Sequence, residues 1–265
     1  MPDIKARFIF TADDFGLTRG VSDAIARVMS GGVVTSTSVL VCRDNHELIT
    51  PWVGEISGRA GLHLQLTDGV PCLPPDEVPS LVTGSGRFPP RRADVRAVEP
   101  DEVWAEWLAQ AEQFARFGMS PSHVDSHHSV HTLPQVLPVY ARLALHLGLP
   151  ARSGPPHVTG YLRGRGIECP DTCEDHWYSP EVTEARLLAF VSKNLALHGG
   201  GVVEFMCHPG CVDADLRAAS RYVEGRADEA ALLGSAKLRR RLTELGVELI
   251  GMGELAKGRG PAGRL

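Results

Sequence analysis

The chain reads as an α/β protein on a parallel sheet, closed into a barrel in preference to lying open. Two observations predict this. Strand-like and helix-like stretches alternate along most of the 265 residues, with roughly seven of the former, the rhythm of βα units sharing one parallel sheet. The polar residues able to do chemistry sit where those strands end: Asp13 and Asp14, His63, His127 and His208. An open doubly wound sheet gathers ligands mainly at one crevice, whereas a barrel draws on the ends of several strands. Contributions from four separated segments suit the barrel. The length fits one large α/β domain, taken as 1–265, with irregular insertions near 68–100 and 154–178.

Each element has its own signal. Arg7 to Thr11 is the first strand and runs into Ala12-Asp13-Asp14-Phe15-Gly16. Thr18 is placed to cap a helix with the apolar stripe Val21, Ala24, Ile25 and Val28, stopped by Gly31 and Gly32. Val33 to Cys42 is β-branched and bounded by glycines, so it is strand two; a weaker helix follows around Glu47 to Ser57. In strand three, Ala60 to Thr67, Leu62, Leu64 and Leu66 face one side, His63 and Gln65 the other. Asp68 to Pro100 keeps no period, as lids and substrate-binding loops often do not. Pro100 opens a strong helix to Phe117, stopped by Gly118, with Trp104, Trp107, Leu108 and Phe114 expected in the core.

His123 to His127 is strand four, and Leu133 to Leu147 is a helix despite Pro138, ended by Gly148. Ala151 to Ser153 is a short strand candidate. Gly154 to Tyr178 is irregular, with Arg163, Arg165, His176, Trp177 and Tyr178 as candidate ligand contacts. Ser179-Pro180 starts a helix that ends at Gly199-Gly200-Gly201. Val202 to Cys207 leads as a strand into His208-Pro209-Gly210. A helix from about Ala227 reaches Leu245, and Val247 to Ile250 is the last strand.

Composition narrows the function. Hydrophobic residues make up 43% and charged residues 22%, with a net charge of -5, so nothing electrostatic points to nucleic acid or an anionic membrane. There is no apolar stretch long enough for a membrane span and no signal-peptide pattern, so the cytoplasm is the expected location and the six cysteines are expected as thiols. The C-x-x-x-C spacings of Cys169/Cys173 and Cys207/Cys211 depart from the usual zinc spacing, and buried or loop thiols are the preferred reading. No phosphate-loop motif G-x-x-x-x-G-K-[ST] occurs. A small neutral or amine-bearing substrate fits, and a homodimer is compatible with all of this.

His123-Val124-Asp125-Ser126-His127-His128-Ser129-Val130-His131 carries the strongest chemical signal. Its alternation turns His123, Asp125 and His127 to one side, where metal-binding and proton-moving groups then share a space. A polar turn is the bland alternative. Asp13 and Asp14 can both approach one site at a bend in the chain, one free to hold a metal and the other to act as a base. His63 faces away from three leucines, which suits a site better than core filling. An aspartate and two histidines leave open positions on a divalent ion, which would acidify a water and polarise a carbonyl oxygen. A free carboxylate can take the water's proton, and an imidazole opposite, for which His208 is suited, can protonate a leaving group.

Thr11-Ala12-Asp13-Asp14-Phe15-Gly16, Gly61-Leu62-His63, the block from His123 to His131 and Cys207-His208-Pro209-Gly210, in that order, resemble the YdjC family of carbohydrate deacetylases, from Phe8 to about Leu255. The resemblance implies a distorted (β/α) barrel, one divalent metal ion (magnesium or zinc foremost) and removal of an N-acetyl group from an amino sugar. It makes Asp14, His63 and His127 the metal ligands, Asp13 the base and His208 the acid. His123, Asp125 and His131 are then expected to orient His127 or bind substrate. Ser129 stands where chitooligosaccharide-type members tend to carry a histidine, while Leu73-Pro74-Pro75 and Gly86-Arg87-Phe88 resemble hopanoid-type members, so no single sugar is named. Two other readings use the same residues: a metal-dependent phosphoesterase and a catalytically inactive sugar binder.

Overall fold

The structure, a computed structural model, describes residues 4–42, 45–178 and 181–258. In chain order the elements are β1 (Ala6–Phe15), α1 (Arg19–Gly31), β2 (Ser36–Val39), the one-turn helices α2 (His46–Ile49) and α3 (Val53–Ile56), and β3 (Ala60–Leu64). Then come α4 (Pro100–Ala115), β4 (Val124–Ser126), α5 (Leu137–Leu147), α6 (Pro156–Arg163), β5 (Thr172–Glu174), α7 (Glu184–Leu197) and β6 (Val202–Cys207). The chain continues through α8 (Ala214–Ala219), α9 (Gly225–Leu233), α10 (Ala236–Glu244) and β7 (Val247–Leu249). Among the described residues no helix is long and apolar enough to cross a membrane.

Among the described residues the sheet has seven strands in the order β4-β3-β2-β1-β6-β5, with β7 against the first residues of β1. Every pairing is parallel. Beyond β4, Ala151 makes a single parallel bridge to Val124. Arg152 follows on that outer edge, yet its Nε donates to Glu204 Oε1 on β6 at 3.0 Å. Flat strands spaced about 4.8 Å apart would put that edge and β6 roughly 24 Å apart, beyond the reach of two side chains. The sheet is therefore curled into a half-barrel, in line with the barrel expected from sequence. Its inner face carries an apolar cluster of Ile9, Val202, Ile250 and Met252, and polar groups beyond it. The main core packs on the other face, where Phe8, Phe10 and Phe205 meet.

Most elements sit where local chemistry puts them. Thr18 Oγ1 accepts from Val21 N and caps α1. Pro138 lies in the first turn of α5, where a missing N–H costs nothing, and Gly148 ends that helix with φ 65°. Trp107 and Phe114 of α4 are fully buried, whereas Trp104 is half-buried under the Arg142 guanidinium. Other expectations need correction. Strand one does not stop at Thr11 but runs to Phe15, while β2 spans only Ser36–Val39. The segment 154–178 is not irregular throughout: it holds α6 and β5. The helix expected from Ala227 to Leu245 is two, because Ser235 accepts from Leu238 N and starts α10 afresh. Ser179 and Pro180 lie outside the described residues; α7 begins at Glu184, capped by Thr183.

Gly61 shows how tightly the inner face is packed. A Cβ there would stand 2.3 Å from His123 Cε1, and His123 is itself fully buried. Gly61→Ala should therefore cost about 1–3 kcal/mol by overpacking, read as a lower midpoint in urea unfolding. An unchanged midpoint would show that the His123 ring has room to move.

Candidate active site

The site begins with an irregularity in β1. Against β2 the register runs Thr11↔Ser36, Ala12↔Thr37 and then Phe15↔Val39, so one extra residue is accommodated on β1. Asp14 takes up the excess with φ 70°, a bulge that lets neighbouring side chains aim at the same space. Asp13 and Asp14 thus both line one cleft of about 960 Å³, together with His63, His127 and His208. The cleft lies at the C-terminal ends of the strands, where the sequence places these residues.

Asp14 Oδ1 lies 3.6 Å from His63 Nε2 and 3.0 Å from His127 Nδ1. One donor atom from each residue falls within 4.8 Å of the other two. Asp14 Oδ1 is buried and has no hydrogen-bond partner, although such atoms are normally satisfied. A carboxylate oxygen and two imidazoles facing one point, with that oxygen unsatisfied, fit a divalent cation as their common partner. The other oxygen, Oδ2, accepts from Arg226 Nη2 at 2.6 Å. Burial pushes the Asp14 carboxyl up, but Arg226 and His127 outweigh it and hold it well below the usual carboxylate range. It is an anion at neutral pH.

Asp125 receives His63 rather than His127, the partner expected from sequence. Its Oδ1 lies 2.7 Å from His63 Nδ1, because β3 and β4 pair with His63 directly opposite Asp125. A carboxylate on the far nitrogen sets the ring's orientation and leaves Nε2 facing Asp14. Burial lowers the His63 pKa, but Asp125 and Asp13 more than reverse this and raise it to about 10. His123 contacts Ser122 Oγ through Nδ1 and lies 3.8 Å from Asp125. His131 is held between Ser126 Oγ and Ser153 O. Burial lowers both imidazoles to about 4. Neither is among the residues that line the cleft: His123 packs over Gly61 and His131 against the Tyr140 ring, bracing β4 and the turn after it.

That turn, His127–Thr132, owes its shape to His128 and Ser129, both left-handed at φ 53° and 52°. Arg92 ties it down, donating to Ser129 O and Thr132 Oγ1. The 68–100 segment therefore supports the loop that carries His127.

Asp13 is gripped in the fork of Arg152: Nη1 donates to Oδ2 and Nη2 to Oδ1, both at 2.7 Å. The same guanidinium lies 3.0 Å from Asp125 Oδ2 and bonds Glu204. Arg152 is fully buried, so this cation holds together carboxylates from β1, β4 and β6. Asp13, His63 and Asp125 also cluster closely enough for a metal, but the guanidinium already occupies that role. Asp13 Oδ2 stands 3.9 Å from His63 Nε2, beside the cation position without being spent on it.

His208 follows β6. Its backbone N–H donates to Glu229 Oε2, and Tyr222 Oη donates to Glu229 Oε1, each at 2.7 Å. The imidazole lies 5.2 Å from the Tyr178 ring and 5.8 Å from that of Tyr222. Its Nδ1 is buried without a partner. Burial lowers the imidazole to about 4, with Asp14 acting the other way, and burial raises Glu229 to about 7.

Among the other candidate contacts, His176 and Tyr178 line the cleft. Arg163 pairs with Asp171, Arg165 covers the Tyr161 ring, and Trp177 is fully buried. Sequence reasoning missed Arg152, Glu204, Arg226 and Glu229. Arg152 and Glu204 did leave a signal: each is an ionisable residue within a short strand candidate, where burial demands a partner. Arg226 and Glu229 lie on a polar helix and left none.

Fold and site together define an α/β half-barrel that gathers carboxylates and imidazoles at the C-terminal ends of its strands. The chain belongs to the YdjC-like protein family, which matches residues 7–244. A carbohydrate deacetylase of Geobacillus stearothermophilus is 33% identical over 260 residues, 94% of this chain and 98% of that one. A chitooligosaccharide deacetylase of Proteus mirabilis is 32% identical, covering 91% of this chain and 95% of its own. The crystal structure of an Enterococcus faecalis protein named for cellobiose-phosphate cleavage aligns with a TM-score of 0.87 at 31% identity, over 96% of this chain and 99% of that one.

Proposed function

We propose that this protein is a metal-dependent deacetylase that hydrolyses an N-acetyl group from a small amino sugar. The observation that carries the reading is the pairing of two environments. Asp14, His63 and His127 converge with an unsatisfied carboxylate oxygen between them, while Asp13 stands alongside in the grip of Arg152. The names of the relatives support deacetylation of sugars.

Asp14, His63 and His127 would hold the divalent ion, magnesium or zinc by choice of ligands. When bound, such an ion supplies Lewis acidity towards a water and the acetyl carbonyl. Asp13 takes the water's proton: the Arg152 fork holds its carboxylate in place. His208, across the cleft, gives a proton to the departing amine. Burial holds the resting imidazole at about 4, so His208 is neutral before turnover and must gain the proton that it then gives. Tyr178 and Tyr222 fix its ring, and Glu229 anchors its backbone.

The test is acetate release from a panel of N-acetylated sugars, with and without a chelator. Acetate that vanishes on chelation and returns with added metal supports the reading; chelator-resistant release removes the metal from it. A second reading, hydrolysis of a sugar phosphate, draws on the name of the Enterococcus faecalis relative. Release of phosphate with no acetate from the same panel would select it. An inactive sugar binder has no need of a free carboxylate beside the cation position, and release of either product excludes it.

Metal uptake should also release a proton. Because the folded chain raises His63 to about 10, the metal-free protein keeps that proton at neutral pH, and an ion must displace it. The raised value means that His63 stabilises the metal-free fold fully below its ordinary pKa, about 6.5. That contribution is lost as pH climbs through 10. Calorimetric titration with Zn²⁺ at pH 8, in two buffers of different ionisation enthalpy, should report about one proton released per ion. Release of none would mean that His63 is already neutral.

A further inference from the structure

Away from the cleft, Cys42 Sγ and Cys72 Sγ face each other at 3.6 Å. We propose that Cys42 and Cys72 form a reversible thiol–disulfide site that takes a small-molecule disulfide as oxidant and, once oxidised, ties the 68–100 segment to the stretch that follows β2.

The two thiols are unequal, in the manner of an attacking and a resolving cysteine. Cys72 is half-buried and Cys42 is fully covered. Burial, with Cys72 and Glu106 adding to it, holds the Cys42 thiol well above its ordinary range, so Cys42 is not the group that meets an oxidant. The pair is held in register by Glu106, itself fully buried. Glu106 Oε1 accepts from Cys72 N at 2.9 Å, and Oε2 accepts from Leu73 N at 3.0 Å. Gln110 Nε2 also donates to Oε1. The Cys42 S–H points at the same Oε1, 3.7 Å away. Glu106 is thus already engaged by the backbone of the segment and by Gln110, which favours bond formation between the sulfurs over capture of a metal. Cys207, by contrast, donates to Thr11 O and stays inside the sheet.

The chemistry balances as two exchanges. The Cys72 thiolate attacks one sulfur of the small disulfide, forms a mixed disulfide and expels one thiolate. Cys42 sulfur then attacks Cys72 Sγ, breaks the mixed disulfide and expels the second. The Cys42 proton passes by way of Glu106 Oε1 to that departing thiolate. Two protein thiols are oxidised, and one small disulfide is reduced to two thiols. The bond would clamp the start of the segment whose Arg92 supports the His127 turn.

The test uses the full-length protein incubated with oxidised glutathione, then alkylated in denaturant and mapped by mass spectrometry without reduction. The expected result is the loss of two hydrogens and a linked peptide pair containing Cys42 and Cys72 that separates on adding reductant. The variant Cys42→Ser should instead keep a glutathione adduct on Cys72. Wild-type protein in which Cys72 keeps glutathione while Cys42 is alkylated, or in which both are alkylated, would overturn the proposal without reference to any variant.

Discussion

Asp13→Asn is expected to lower deacetylation by about 10²–10⁴-fold, the range for loss of an acid–base group, while the protein keeps its metal. The amide preserves shape but cannot accept a proton at the pH of turnover. It also removes one anion from the Arg152 fork, so some loss of stability should accompany the loss of rate. Asp125 and Glu204 remain to hold the guanidinium, so the variant should still fold. Asp14→Ala gives the contrast: it deletes the oxygen shared with His63 and His127 and should lose both activity and metal. Metal content by mass spectrometry, beside initial rates of acetate release, separates the two. Asp13→Asn turning over as fast as wild type would remove Asp13 from the role of base.

Arg152→Met should be the most destabilising single change in the site, at about 3–5 kcal/mol, the range for stripping one partner from a buried ion pair. The guanidinium is fully buried among Asp13, Asp125 and Glu204. A methionine of similar length leaves those carboxylates facing one another without a cation. Burial pushes Asp125 up, but Arg152 and His63 outweigh it and hold it far below the usual range, so much of that balance would be lost. Urea unfolding at neutral pH reads the difference. A loss below about 1 kcal/mol, the scale of an exposed pair, would mean that water reaches the cluster.

The sequence by itself determined the parallel α/β architecture and which residues could meet at the strand ends. Strand alternation, Thr18, Pro100 and Gly148 are local signals, and local chemistry decides them. The five residues singled out along the chain, Asp13, Asp14, His63, His127 and His208, do line one cleft. Only the tertiary structure decided their surroundings. Asp13 meets Arg152 across 139 residues and Asp14 meets Arg226 across 212. Such pairings depend on how far the sheet curls and on the register of β3 against β4, which put Asp125 on His63 and not on His127. The bulge at Asp14 was equally invisible, since it exists only relative to β2. Periodicity records which side of a strand a residue faces; which charge waits on that side is set by a distant segment folded against it.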